Sequence, residues 1–342
     1  MGGRQVRHPH GADSRAKVGW QHAFHNRRMA LLLREDDVRQ LITVPEAIDV
    51  LDAAFRDWAG GRAENQPRRR VAGGVVLATM SAALPTRGLV GLKAYTAHPR
   101  GATFWIQLFD AGSGELVAIV HGDHLGRLRT GAASGLATRY LARPDASRLT
   151  IFGTGTQALT QVVAVASVRP LQEVRVLSRD PGRRERLLSD LAANGIRAIA
   201  GGDPREAVEA ADIITTITSA GSPLFPGAWL RPGQHLNVAG SNWPQRREVD
   251  GETVSRAGLV VADDAYAARL EAGDLLLAEA DGMLDWARVH SLREVIAGTA
   301  KRSDPQEITL FKSVGLALED IAVGATVLER ARSRGIGEYV DL

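Results

Sequence analysis

Residues 148–158 read Arg-Leu-Thr-Ile-Phe-Gly-Thr-Gly-Thr-Gln-Ala, an apolar strand running straight into G-x-G-x-x-A and a helical segment. That order leaves few folds open. Gly153 permits the tight turn out of the strand, Gly155 lets phosphates approach the backbone, and Ala158 keeps the helix close to the strand. Free N–H groups at the helix start then face the phosphates, with Thr154, Thr156 and Gln157 beside them. The expected ligand is a dinucleotide whose pyrophosphate lies on residues 153–158.

The flanking pattern supports this expectation. From 148 onward, strands at 148–152, 174–178, 197–200, 212–216, 234–239 and 259–262 are interleaved with helices at 156–168, 183–193 and 204–210. Such alternation implies α/β architecture, with a doubly wound parallel sheet of the Rossmann type over 146–304. Upstream the grammar changes. Thr43-Val-Pro-Glu46 has the form of a capping box and starts a helix to about Trp58. Segments 75–80, 89–95, 103–109 and 115–120 are rich in β-branched and aromatic residues, and Asp110-Ala-Gly-Ser-Gly114 turns the last pair into a hairpin. These read as a separate α+β domain with an antiparallel sheet. A small-residue helix over 125–141 joins the two domains, and 308–311 with a helix from 315 to 334 is expected to return to the first. The first domain therefore comprises 29–145 and 305–342.

Charge is unevenly distributed. The net charge of +3 conceals a basic extension: residues 1–28 hold six Lys/Arg, one Asp and four His, leaving the body slightly acidic. This stretch has no apolar periodicity and reads as a disordered tail ahead of Met29, where the patterned body opens. It has no apolar core of a secretory signal, and no run in the chain reaches a membrane-spanning length, so the body is expected in the cytoplasm without a membrane partner. The tryptophans show no spacing that would stack nucleic-acid bases. There is no cysteine, which removes disulfides and thiolate metal sites. His121 and His124 lack the companion carboxylates that a metal would need, and no metal is expected.

Coenzyme choice is read about 20 residues beyond the glycine loop, where an acidic residue would take a ribose 2′-hydroxyl. Here the chain has Ser178-Arg179, followed by Arg183 and Arg184. A hydroxyl and a guanidinium suit a 2′-phosphate, so NADP(H) is expected over NAD(H), the alternative being a ribose contact from Asp180. Thr218, just past the 212–216 strand, falls where open sheets bind ligands or, equally, where it would cap a helix.

Five stretches occur in order: Gly91-Leu-Lys93-Ala-Tyr, Leu128-Arg129-Thr130-Gly-Ala-Ala, the 153–158 loop, Asn237-Val-Ala-Gly-Ser-Asn242 with Arg247-Glu248-Val-Asp250, and Phe311-Lys-Ser-Val-Gly315. Together they resemble the ornithine cyclodeaminase/mu-crystallin family over about residues 30–340. The resemblance implies a substrate-binding and dimerisation domain built from both chain ends, a homodimer, and hydride transfer at the α-carbon of a small amino or imino acid. It assigns the substrate carboxylate to Lys93, Arg129 and one arginine of Gln66-Pro-Arg-Arg-Arg70; spacing selects Arg69, with Arg68 and Arg70 as alternatives. Charge-assisted donors of this kind fit a carboxylate. The resemblance also places Thr130 and Gly240 beside the coenzyme, and Lys93 and Asn242 at the reacting atoms.

Asn242 is a departure, because cyclodeaminases carry Asp at that position. An amide exchanges no proton near neutral pH but can orient an imine or a water. The expectation is therefore an NADP(H)-dependent imine or ketimine reductase, or an amino-acid dehydrogenase in the opposite direction. Two alternatives stand beside it: a cyclodeaminase of ornithine or lysine with another acid, such as Asp263 or Glu271, in place of the missing Asp; and a catalytically silent nucleotide-binding protein.

Overall fold

The computed structural model describes residues 29–98 and 100–342; the basic extension 1–28 lies outside the described residues. In chain order the strands are β1 (Met29–Leu33), β2 (Glu64–Asn65), β3 (Arg69–Ala72), β4 (Val76–Leu84), β5 (Leu89–His98), β6 (Gly101–Asp110) and β7 (Leu116–His121). They continue with β8 (Arg148–Phe152), β9 (Glu173–Leu177), β10 (Ala198–Ala200), β11 (Ile213–Thr216), β12 (His235–Val238), β13 (Leu259–Ala262), β14 (Val289–Ser291), β15 (Thr309–Lys312) and β16 (Glu338–Asp341). They form two eight-stranded sheets.

The first sheet runs β16-β1-β7-β6-β5-β4-β2, with β3 also on β4, and β4 to β7 are antiparallel. Alternation along each strand sorts its residues to two faces. Ala78, Met80, Ala82, Ile106, Leu108, Ala118 and Val120 are buried, and the Ala317–Arg334 helix packs on β4, β5 and β6. Gly91 is required on this face, since a Cβ there would lie 2.6 Å from Ile321 Cδ1 and 2.7 Å from the Gln107 carbonyl. The opposite face presents Leu77, Val90, Leu92, Trp105, Phe109, Val117 and Ile119 as exposed or half-buried residues. Thr43 and Glu46 form the expected capping box at the head of the Val44–Ala59 helix.

The Gly122–Leu141 helix is buried on almost every side and touches both layers. Its small residues allow this. A Cβ at Gly131 would fall 2.5 Å from the Thr160 carbonyl, and one at Gly135 would fall 2.7 Å from Ile48.

The second sheet is parallel throughout, in the order β10-β9-β8-β11-β12-β15-β13-β14. The order reverses between β8 and β11, which is where such sheets bind dinucleotides. One expectation is corrected here. The 308–311 stretch does not return to the first domain: β15 lies between β12 and β13, in the middle of the parallel sheet. Thr309–Lys312 is buried at every position, the mark of a strand covered on both faces, and only the 317–334 helix and β16 rejoin the first sheet.

Candidate active site

The turn after β8 has the geometry expected for a pyrophosphate. Gly153 has φ +115°, and a Cβ on it would sit 2.4 Å from the Ile217 carbonyl, so no other residue fits. At Gly155 nothing lies within 4 Å of a built Cβ, leaving its backbone open to a ligand. Ala158 is fully buried at the start of the Ala158–Val168 helix, and its own N–H donates to the Gly155 carbonyl at 3.0 Å. A helix start of this kind, next to Thr156 and Gln157, leaves further N–H groups for an anion. Thr154 and Ser178 share a hydrogen bond of 2.8 Å, joining the glycine turn to the end of β9. Arg179 is exposed beside them. Asp180 is committed elsewhere: its carboxylate accepts from Arg183 N and caps the Pro181–Ala193 helix. The turn thus fits a dinucleotide.

Beyond β11 and β12 lie Thr218 and Gly240, and both are tied to Glu248. Oε1 of Glu248 accepts from Thr218 N and Oγ1, and Oε2 from Gly240 N, each at 2.7 Å. Thr218 heads no helix and stands just past β11, at the C-terminal edge of the parallel sheet. Glu248 is fully buried and does not pair with Arg246 or Arg247; the latter bonds Asp281. Thr130 is buried on the 122–141 helix, where its hydroxyl donates to the Gly126 carbonyl and its own carbonyl accepts from Gln161.

A dense charge cluster occupies the edge between the two sheets. Lys93 on β5 is 3% exposed and donates to Asp320 Oδ1 at 2.8 Å. Arg129 donates to Glu319 Oε2 at 2.8 Å and to Asp320 Oδ1 at 3.1 Å. Arg68 is 7% exposed; it bonds Glu271 at 2.5 Å and donates to the carbonyls of Val314 and Gly315. Arg70 reaches Glu271 at 3.0 Å and the Asn242 carbonyl at 3.1 Å, and stacks 4.8 Å from the Trp243 ring. Residues 242 and 314–315 follow β12 and β15, so the cluster borders the same sheet edge as the coenzyme turn.

Arg69, chosen from spacing, is the wrong member of its run. A strand points neighbours to opposite faces, so Arg68 and Arg70 enter the cluster while Arg69 is exposed. Asp320 and Glu319 escape sequence reading for a different reason. Acids in the first turn of a helix read as partners of its dipole, yet here they are buried and hold the cations in place.

Burial sets the protonation of this cluster. It pushes Lys93 down to about 8, against the pull of Asp320. It pushes Glu319 up to about 8, against Arg129. Burial opposes ionisation of Asp320 too, but Arg129 and Lys93 hold its carboxyl below the ordinary range. Neither suggested substitute acid is free. Asp263 is pushed up to about 6 by burial, but its Oδ2 is spent on Val314 N and Gly315 N, at 2.7 and 2.6 Å. Glu271 is held between two arginines. The half-buried Asn242 thus stands at the site edge, with neither Asp263 nor Glu271 free to take the place of the missing Asp. His121 packs edge-on against Trp105, and no metal-binding group of side chains occurs among the described residues.

Comparison with known proteins adds a family and several relatives. The model of the ornithine cyclodeaminase/mu-crystallin family matches residues 28–335. A Delta(1)-pyrroline-2-carboxylate reductase of Bacillus cereus is 32% identical over 327 residues, 91% of this chain and 99% of the relative. The structure of the Thermococcus litoralis Delta(1)-pyrroline-2-carboxylate reductase with NADH and L-proline superposes with a TM-score of 0.87 at 33% identity, over 91% of this chain and all of that one. An archaeal alanine dehydrogenase dimer with bound NAD gives 0.85 at 30% identity, over 92% of this chain and 99% of that one.

Proposed function

From a chain that belongs to the ornithine cyclodeaminase/mu-crystallin family, we propose an NADP(H)-dependent imine or ketimine reductase that acts on small α-imino acids and runs in reverse as an amino-acid dehydrogenase. One observation carries this reading: buried Lys93, Arg129 and Arg68 converge at the sheet edge that the glycine turn opens onto. Three fixed cations beside a coenzyme cleft suit a substrate carboxylate. Bound reduced nicotinamide supplies a hydride to the C=N carbon. The protein supplies the rest. Arg129 offers a planar fork fixed by Glu319 and Asp320, and Gly315 leaves room for it, since a Cβ there would lie 2.5 Å from Arg129 Nη1. Lys93, poised near 8, retains its proton at neutral pH and can pass it to the nitrogen that becomes the amine. The Asn242 amide orients the imine nitrogen and transfers no proton to it.

The test follows NADPH absorbance with cyclic imino acids, and with pyruvate plus ammonia or methylamine, while ornithine with NAD⁺ is assayed for ammonia. Imine-dependent NADPH loss is expected. Ammonia released from ornithine, with no imine reduction, replaces this reading with the cyclodeaminase one.

The NADP(H) preference rests on Ser178 and Arg179 at the end of β9 and on the engagement of Asp180 in capping. Arg179→Asp is expected to weaken NADPH binding at least about tenfold and to favour NADH, because a carboxylate repels the 2′-phosphate. Unchanged NADPH affinity assigns the 2′-phosphate elsewhere. The uncovered apolar face of the first sheet, with Leu77 39% and Val90 37% exposed, supports a homodimer formed through that face. Sedimentation as a monomer at micromolar concentration refutes it. No helix among the described residues is long and apolar enough to cross a membrane, and we infer that the protein acts in the cytoplasm, which cell fractionation checks.

A further inference from the structure

Beneath the floor formed by Thr218 and Gly240 lies a set of three fully buried charges: Glu248, Asp274 and Lys312. Glu248 accepts from Thr216 Oγ1 at 2.9 Å in addition to Thr218 N, Thr218 Oγ1 and Gly240 N, so each carboxylate oxygen takes two donors. These four donors, two of them backbone N–H groups, favour the ionised form, against burial, which pushes its pKa up. Asp274 Oδ1 accepts from Glu248 N at 2.6 Å and Val249 N at 3.1 Å, and its other oxygen lies 2.8 Å from Lys312 Nζ. Lys312 also donates to the Ser241 carbonyl at 2.7 Å. Two carboxylates against one ammonium leave a net negative charge in a dry interior. The nearby Arg247 does not cancel it, because Arg247 is paired with Asp281.

The fold dictates what lies above this charge. The pyrophosphate turn follows β8, and Ser178, bonded to Thr154, stands at the end of β9, where the reading above puts the adenosine half. The other half of a dinucleotide therefore lies over the ends of β11 and β12, on Thr218 and Gly240. Only a thin floor separates it from Glu248: a Cβ on Gly240 would fall 2.4 Å from Glu248 Oε1 and 2.4 Å from Thr218 N. A nicotinamide ring is neutral when reduced and positive when oxidised, and fixed charge in a low-dielectric site acts on that difference.

We propose that Glu248, backed by Asp274, is a positioning residue whose buried charge binds oxidised coenzyme in preference to reduced and stabilises the positive charge that develops as hydride leaves. This rests on the coenzyme reading above. The full chain, Glu248→Gln and Asp274→Asn are each titrated with NADP⁺ and NADPH, and with NAD⁺ and NADH, by tryptophan fluorescence, after a thermal melt to check folding. The ratio of oxidised to reduced Kd is expected to rise about tenfold in Glu248→Gln. It is expected to rise less in Asp274→Asn, which leaves the bonds of Glu248 in place. A purely structural tie weakens both forms in parallel, so an unchanged ratio in a folded variant overturns the proposal. If Glu248→Gln does not fold, Asp274→Asn decides. Failure of the unaltered protein to bind any of the four overturns the coenzyme reading itself, whereas intact binding with an unchanged ratio overturns this inference alone.

Discussion

Arg129→Ala is expected to lower kcat/KM for imino acids by about a thousandfold, because truncating one partner of a buried, hydrogen-bonded charge pair across a binding contact costs roughly 2–5 kcal/mol. Two losses combine. The substrate carboxylate loses a planar donor pair, and Glu319 and Asp320 are left facing each other without their shared guanidinium. The melting temperature should fall as well, so the alanine variant alone does not separate binding from folding. Arg129→Lys does. It restores a positive charge beside the two acids and recovers most of the stability, but it lacks the fork and should remain about a hundredfold down in kcat/KM. NADPH affinity should not change in either variant, since Arg129 touches none of residues 153–158 or 178–179. A lysine variant with full kcat/KM removes the bidentate role.

Acidification is expected to destabilise the fold through His235, which is fully buried at the start of β12. Its Nε2 lies 3.2 Å from Asn237 Oδ1 and its Nδ1 lies 2.9 Å from Thr309 Oγ1. The Asn237 Nδ2 is spent on Thr138, so Oδ1 only accepts. That assigns the single imidazole proton to Nε2, and leaves Nδ1 to share the one proton of the Thr309 hydroxyl with the Leu141 carbonyl, 3.2 Å from that hydroxyl. Burial, followed by the Arg302 guanidinium, pushes the imidazole down from 6.5 to about 3. The unfolded chain therefore takes up a proton below pH 6.5 that the folded chain refuses. Stability from this group is complete above 6.5 and is lost as pH falls toward 3, to a ceiling of about 5 kcal/mol and by roughly 2 kcal/mol at pH 5. His124 is shifted the same way by burial, whereas Glu319 and Asp263, raised by burial, act with the opposite sign. Denaturant melts of the unaltered chain and of His235→Gln between pH 7.5 and 5 isolate the contribution. Equal slopes for the two proteins refute it.

Several elements were legible in the chain itself because their determinants are local. The glycine turn at 153–158 follows from backbone conformation, and the capping box at Thr43–Glu46 from side chains three residues apart. The four antiparallel strands follow from alternation and turn residues. Lys93 and Arg129 were reached by resemblance, and both belong to the buried cluster. Arg69 failed because a run of three arginines carries no marker of which ones face inward.

Sequence alone determined the dinucleotide turn, the Thr43–Glu46 cap and the alternation of strands and helices from 148 to 262, since each depends on contacts within a few residues. Tertiary structure decided where β15 pairs, which arginines of 68–70 face inward, and that Glu319, Asp320, Glu248, Asp274 and Lys312 are buried partners. These choices depend on burial and on pairings between residues far apart in the chain. Burial also turns otherwise ordinary charged residues into a fixed electrostatic field.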